Sequence, residues 1–185
     1  MAKVRNNIIT QGLSGSLGDQ LIFRKDKAGR TIVAVKPAFD PNRGLTDSQI
    51  AHQEAFRQAI AYAKTAKDQA VYINKAEGKA MSAFNVAVAD WFNEPAVLEI
   101  DASGWNGEVG QPIRVKAQDD IHVAKVHVVI KDSFNAVVEE GEAVQADGLW
   151  WTYTTKTQIP MASAPQVAAT AYDLAGNTSS KVFSY

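Results

Sequence analysis

The chain has no cysteine among its 185 residues. Disulfide staples and thiolate metal sites are therefore excluded. There is no excess of charge of either sign: 19 Lys and Arg stand against 20 Asp and Glu, a formal net charge of −1. That balance gives no electrostatic reason to expect nucleic acid or an anionic membrane as partner. Long hydrophobic runs are also missing. The opening residues, Met1 to Asn7, lead only into Ile8-Ile9. No signal-peptide core is present, and no run approaches the roughly 20 apolar residues of a membrane span. The expectation is a protein made in the cytoplasm without a Sec signal, leaving the cell only by a route that reads none.

What is present is ordinary globular composition, 46% hydrophobic and 21% charged. It suffices for one large domain or two small ones. The apolar residues follow two different periods. From Asn93 onward they alternate: Ile113, Val115 and Ala117 with Arg114 and Lys116; Val126, Val128 and Ile130 with Lys125 and His127; Val167, Ala169 and Ala171 with Ala168 and Thr170. A period of two buries one face of a strand and leaves the other in water. Strands are expected at 96–100, from 112 to Asp119, at 123–131, from 136, at 149–154, at 166–172 and from 178. Seven strands in about 90 residues match the immunoglobulin-like count.

Before Asn93 the period is helical. Thr46 with Gln49 makes a capping box, and the spacing predicts a helix to Ala66 or Lys67 with Ile50, Phe56, Ile60 and Ala63 on its buried stripe. A short helix follows at 69–76, broken by Gly78, and a third runs from Ser82 until Asn93-Glu-Pro95 stops it. Ahead of the helices, Leu21 to Lys25 and Thr31 to Lys36 read as a hairpin, closed beyond by Pro37 and Pro41. Gln11 to Gly18 is Gly-rich, but no Gly-Lys-Ser/Thr follows and no helix opens after it. It reads as a loop with tight turns, not a phosphate cradle. The fold class expected is α+β: a β-hairpin and helical domain over 1–92, then an all-β immunoglobulin-like sandwich over 93–185.

Two stretches carry a resemblance. Ala-Thr-Ala-Tyr-Asp-Leu-Ala-Gly-Asn177, after a Trp-x-Tyr strand, is similar to bacterial immunoglobulin-like repeats, in which a strand ending Ala-x-Asp runs into x-x-Gly-Asn. Gly15 to Lys36 with Thr46 to Ala66 resembles small bacterial proteins that open on a Gly-rich loop, a Leu-Ile-Phe-Arg strand and a Gly-Arg-Thr-Ile-Val strand. The whole arrangement resembles proteins found with phage-tail-like extracellular contractile injection systems, cargo among them. The resemblance implies a non-enzymatic cargo or structural component, with a tube or other particle protein as partner and release inside the particle. It carries over no catalytic motif. The alternatives are an immunoglobulin-like binding module for a protein or glycan, and a toxin effector with an unrecognised site in the N-terminal half.

Candidate sites are few. Asp119, Asp120, Asp173 and Asn177 fall on the loops after the second and sixth sandwich strands, which lie at one end of an immunoglobulin-like order. Hard oxygen ligands gathered there suit calcium. The plainer reading is that Asp and Asn are what turns select, and it outweighs the first. His52, His122 and His127 lack the spacing that would converge three or four zinc ligands. Glu140 and Glu142 alternate onto one face of an acidic strand, best explained as a charged edge together with Glu139. Trp150 and Trp151 are adjacent, so one faces in and one out; with Trp105 they make a weak sugar platform. Ser14 misses the Gly-x-Ser-x-Gly elbow. No catalytic residue and no organic cofactor is expected. On the hairpin, Ile32 and Val35 are the expected contacts for a protein partner, because an outer strand offers unpaired backbone groups.

Overall fold

A computed structural model describes residues 2–4, 13–18, 20–26, 28–36 and 44–184. The expected stop at Pro37 and Pro41 lies outside them. The chain divides into two compact units, 1–55 with 78–80, and 56–77 with 81–185. The boundary expected at Asn93 falls inside the second unit, which holds helices and sheet together.

The first unit is built on the expected hairpin. β3 (Leu21–Lys25) and β4 (Thr31–Val35) pair antiparallel, Leu21 opposite Val35 and Lys25 opposite Thr31. Asp26 shapes their connection: its Oδ1 accepts the backbone N–H of Arg30 at 2.9 Å and of Ala28 at 3.0 Å, and Arg30 Nε donates to its Oδ2 at 2.6 Å. The hairpin is not left open. β1 (Ala2–Val4) pairs with β4 along Thr31–Val33, and β2 (Gly15–Leu17) pairs with β3, so the order is β1-β4-β3-β2. Gly15 to Leu17 is therefore a strand and not part of a loop. Three residues are too few for alternation to register in a sequence; pairing with Leu21–Phe23 extends them.

α1 (Asp47–Ala66) gives 47–55 to the first unit and 56–66 to the second. Its capping box is reciprocal: Thr46 N–H donates to Gln49 Oε1 at 3.0 Å and Gln49 N–H to Thr46 Oγ1 at 3.3 Å. The buried stripe is narrower than expected. It consists of Ala59, Ala63 and Ala66, while Ile50 and Phe56 are exposed. Small residues four and three apart let neighbouring backbone approach closely, and burial follows them rather than the larger side chains. α2 (Ala70–Ala76) and α3 (Ala83–Phe92) follow at the expected places, and Ser82 caps α3 by accepting Asn85 N–H at 3.3 Å. Ala63, Ala66, Tyr72, Val86 and Ala87 form the helical core, against which Ile121 and Leu174 pack from the loops of the sheet.

The sheet has seven antiparallel strands: β5 (Ala96–Asp101), β6 (Pro112–Gln118), β7 (Val123–Lys131), β8 (Val137–Gln145), β9 (Trp150–Thr154), β10 (Gln166–Asp173) and β11 (Thr178–Ser184). Their order is β11-β10-β7-β8-β9-β6-β5. β8 turns the corner. It pairs with β7 over Val126–Lys131 and only then reaches β9, through Val144–Thr152 and Gln145–Trp151. The sheet curls until β5 and β11 lie side by side, and Lys181 Nζ donates to Leu98 O at 2.6 Å across them. The alternation read from the sequence fills the interior: Ile113, Val115, Ala117, Val126, Val128, Ile130, Val167, Ala169 and Ala171 are all buried in one cluster with Trp105, Trp151 and Tyr153. Among the described residues no helix is long and apolar enough to cross a membrane.

Candidate functional site at the junction of helix and sheet

The chemistry-bearing side chains of the second unit gather where the last helix meets the loops of the sheet. α3 has an apolar face at Val86 and Ala87, and one turn on the same face carries Asp90. That residue is 0% exposed. Tyr72 OH donates to its Oδ2 at 2.6 Å. Having spent its one proton there, Tyr72 accepts from Tyr62 OH. The other carboxylate oxygen of Asp90, Oδ1, is buried with no hydrogen-bond partner. Burial pushes the Asp90 carboxyl up to about 6; Tyr72 opposes the shift, and the charges of Asp173, Asp119 and Asp120 add to it. Burial likewise raises the Tyr72 and Tyr62 hydroxyls above the ordinary tyrosine range.

The loop between β6 and β7 supplies the next two carboxylates. Asp119 Oδ2 accepts the N–H groups of His122 at 2.7 Å and Ile121 at 2.9 Å, which fixes the side chain. Its Oδ1 is buried and has no partner. Asp120 is exposed, and its Oδ2 accepts Asn93 Nδ2 at 2.8 Å. One carboxylate oxygen each from Asp90, Asp119 and Asp120 lie within 4.8 Å of one another.

Asp173 and Asn177 do something different. Asp173 is buried and ends β10; Asn177 N–H donates to its Oδ1 at 2.7 Å, and Asn177 Nδ2 to its Oδ2 at 2.7 Å. The same Nδ2 faces the main-chain oxygens of Asn93 at 3.0 Å, Asp90 at 3.2 Å and Trp91 at 3.3 Å. Carbonyls at a helix C-terminus have no partner within the helix. Asn177 meets that need from the turn of the sheet and clamps α3 to it. Of the four residues expected to form a cation cluster, the structure thus brings Asp119 and Asp120 together and uses Asp173 and Asn177 as a clamp. Asp90 is the member missed by reading loops alone. Its signal in the sequence is a carboxylate four residues after Val86, on the apolar face of a helix.

The remaining candidates are dispersed. His52 is exposed on α1, His122 lies in the β6–β7 loop, and His127 stands on β7 between Glu142 and Thr170. Glu140 and Glu142 are exposed, but Glu139 is buried on the opposite face of β8. It accepts Tyr153 OH at 2.6 Å, Lys156 N–H at 2.7 Å and Thr157 N–H at 2.8 Å. Glu139 is not a charge guarding an edge; it anchors the chain beyond β9. Gly141 makes room for this, since a Cβ there would stand 2.9 Å from the Tyr153 ring. Trp105 and Trp151 are buried, and Trp150 alone of the three faces out, with the Arg114 guanidinium 4.5 Å above its ring. In the first unit Ile32 is half-buried, and Val35 is 76% exposed.

No family model matches the chain, and no curated protein matches it. Solved structures similar to about half of it include the following three. An engineered protein shares 26% identity over 49% of this chain and 19% of its own, with a TM-score of 0.38. CopC from Methylosinus trichosporium OB3b shares 14% over 49% of this chain and 90% of its own, with a TM-score of 0.36. A hypothetical protein from Pyrococcus horikoshii OT3 shares 12% over 49% of this chain and 84% of its own, with a TM-score of 0.32. Likenesses at these TM-scores carry no argument about function.

Proposed function

We propose that the chain is a non-enzymatic component of a contractile injection particle, carried as cargo or built into it, with a particle protein as partner and an immunoglobulin-like sandwich as its second half. The observation that carries the non-enzymatic reading is the use of the polar side chains in the second unit. Glu139 holds the segment after β9, Asp173 and Asn177 clamp α3, and Thr155 bonds the main chain at Glu108 and Gln111. These groups hold the chain together, and no nucleophile stands beside a general base among the hydrogen bonds they make. The strand order supports the sandwich. β11-β10-β7 corresponds to the G-F-C sheet of an immunoglobulin-like domain, β9-β6-β5 to its E-B-A sheet, and β8 crosses between them. The particle itself rests on the resemblance of the whole arrangement to proteins found with contractile injection systems. Val35, exposed on a small sheet, supplies an apolar contact for a partner.

The test is co-purification with assembled particles. Full-length chain should travel with them; a chain lacking residues 1–36 should do so less, at equal soluble expression. Lys in place of Ile32 or Val35 should weaken packaging more than Lys in place of Glu140. Protein that never associates with particles would refute the reading. It would favour a binding module, for which the outward Trp150 beneath Arg114 is the specific observation.

A further inference from the structure

We propose that Asp90, Asp119 and Asp120 form a divalent-cation site suited to calcium, which fastens the last helix to the sheet. This goes beyond the particle reading and does not depend on it. Three carboxylates point one oxygen each into the same small space, all within 4.8 Å of one another. Calcium takes oxygen ligands at about 2.4 Å, so oxygens on opposite sides of it stand about 4.8 Å apart. One oxygen of each side chain, its Oδ2, already has donors, from Tyr72, from the Ile121 and His122 N–H groups, and from Asn93. What remains unpartnered, and buried, is Oδ1 of Asp90 and Oδ1 of Asp119.

A buried carboxylate oxygen without a donor is costly unless it is neutralised. Here the cost is compounded. The three acids repel one another, and Asp90 sits in the last turn of α3, where the helix dipole is itself negative. Tyr72, Asn93 and Asn177 are side-chain donors near this end of the helix, and their hydrogen bonds go elsewhere than to the two orphaned oxygens. Only a proton or a cation relieves the site. A proton on Asp90 satisfies one oxygen at low pH; a cation satisfies all three acids at once. The ligand set is all oxygen, which disfavours zinc. Exposed Asp120 leaves one side open for water, as the irregular coordination of calcium allows and the near-ideal octahedron of magnesium does not.

The experiment uses the full chain, stripped with chelator at pH 7.5, and titrates calcium chloride to about 10 mM, which covers weak extracellular-type sites. Binding heat and melting temperature are read together. One equivalent of calcium should bind, and the melting temperature should rise by several degrees through mass action. Asp90→Asn and Asp119→Asn should abolish both effects, and Asp120→Asn should weaken binding about tenfold or more. Asp90→Asn keeps the Tyr72 hydrogen bond and removes a buried charge, so its calcium-free melting temperature should equal or exceed that of wild type. If it fails to fold, Asp120→Asn, altered at the exposed member, carries the test. No binding heat and no thermal shift in wild type would overturn the proposal. So would a calcium response undiminished in the Asn variants, or a magnesium response of equal size.

Discussion

Glu139 and Asp90 are both carboxylates taken out of water in the same unit, and the fold treats them oppositely. Glu139 meets three donors, two of them main-chain N–H groups of the segment that follows β9. Asp90 meets one, and its second oxygen is orphaned against two further acids. Hydrogen bonds to a charged acceptor stabilise it where it lies, so Glu139 is a finished structural anchor. Among the described residues nothing does the same for Asp90. The difference separates a group whose environment is complete from one whose environment calls for something more.

Variants can break the comparison at its firm side first. Glu139→Ala strands the buried Tyr153 OH and removes the acceptor of two part-buried main-chain N–H groups. It should cost about 4 kcal/mol, the range of a broken buried network. Denaturant unfolding of the full chain measures it, and a loss below about 1 kcal/mol would mean the anchor is not one. Asn177→Ala tests the clamp between the two regions. It removes the donor shared by Asp173 and the last carbonyls of α3 and should cost about 2 kcal/mol; no change by the same measurement would show that water replaces it freely. At the small end, Glu142→Gln removes an exposed acid 3.7 Å from Lys125. It should shift stability by less than about 0.5 kcal/mol, because surface ion pairs contribute little. A larger loss would erase the distinction between buried and exposed acids on which the account rests.

The sequence is most legible where the pattern is long. All seven strands of the sheet and all three helices are readable from it, because each alternates or repeats over at least six residues or is bounded by a cap, Gly or Pro. β1 and β2 are not, being three residues each. The curl of the sheet is not legible either, since it depends on β8 changing partners midway. For the acids, turn chemistry pointed to Asp119, Asp120, Asp173 and Asn177 as a set, and it did so for two reasons that the sequence does not separate. Asp173 and Asn177 bond each other, as turn residues do; Asp119 turns one oxygen to its own loop and the other inward. Asp90 was hidden because it lies on a helix, and only its place on the apolar face with Val86 marks it.

Stability against pH, with and without calcium, tests the central contrast most directly. Asp90 titrates at about 6 in the folded chain, above its ordinary carboxylate value of 3.8. The native state therefore binds the proton more tightly than the unfolded state. The stabilisation is present below about pH 4 and is lost as pH rises through about 6. In chelator, unfolding free energy should fall across that window by roughly 1–3 kcal/mol. With 10 mM calcium the fall should be absent, because the cation takes the place of the proton, and Asp90→Asn should show no fall in either buffer. Curves for wild type that superimpose with and without calcium would contradict the account.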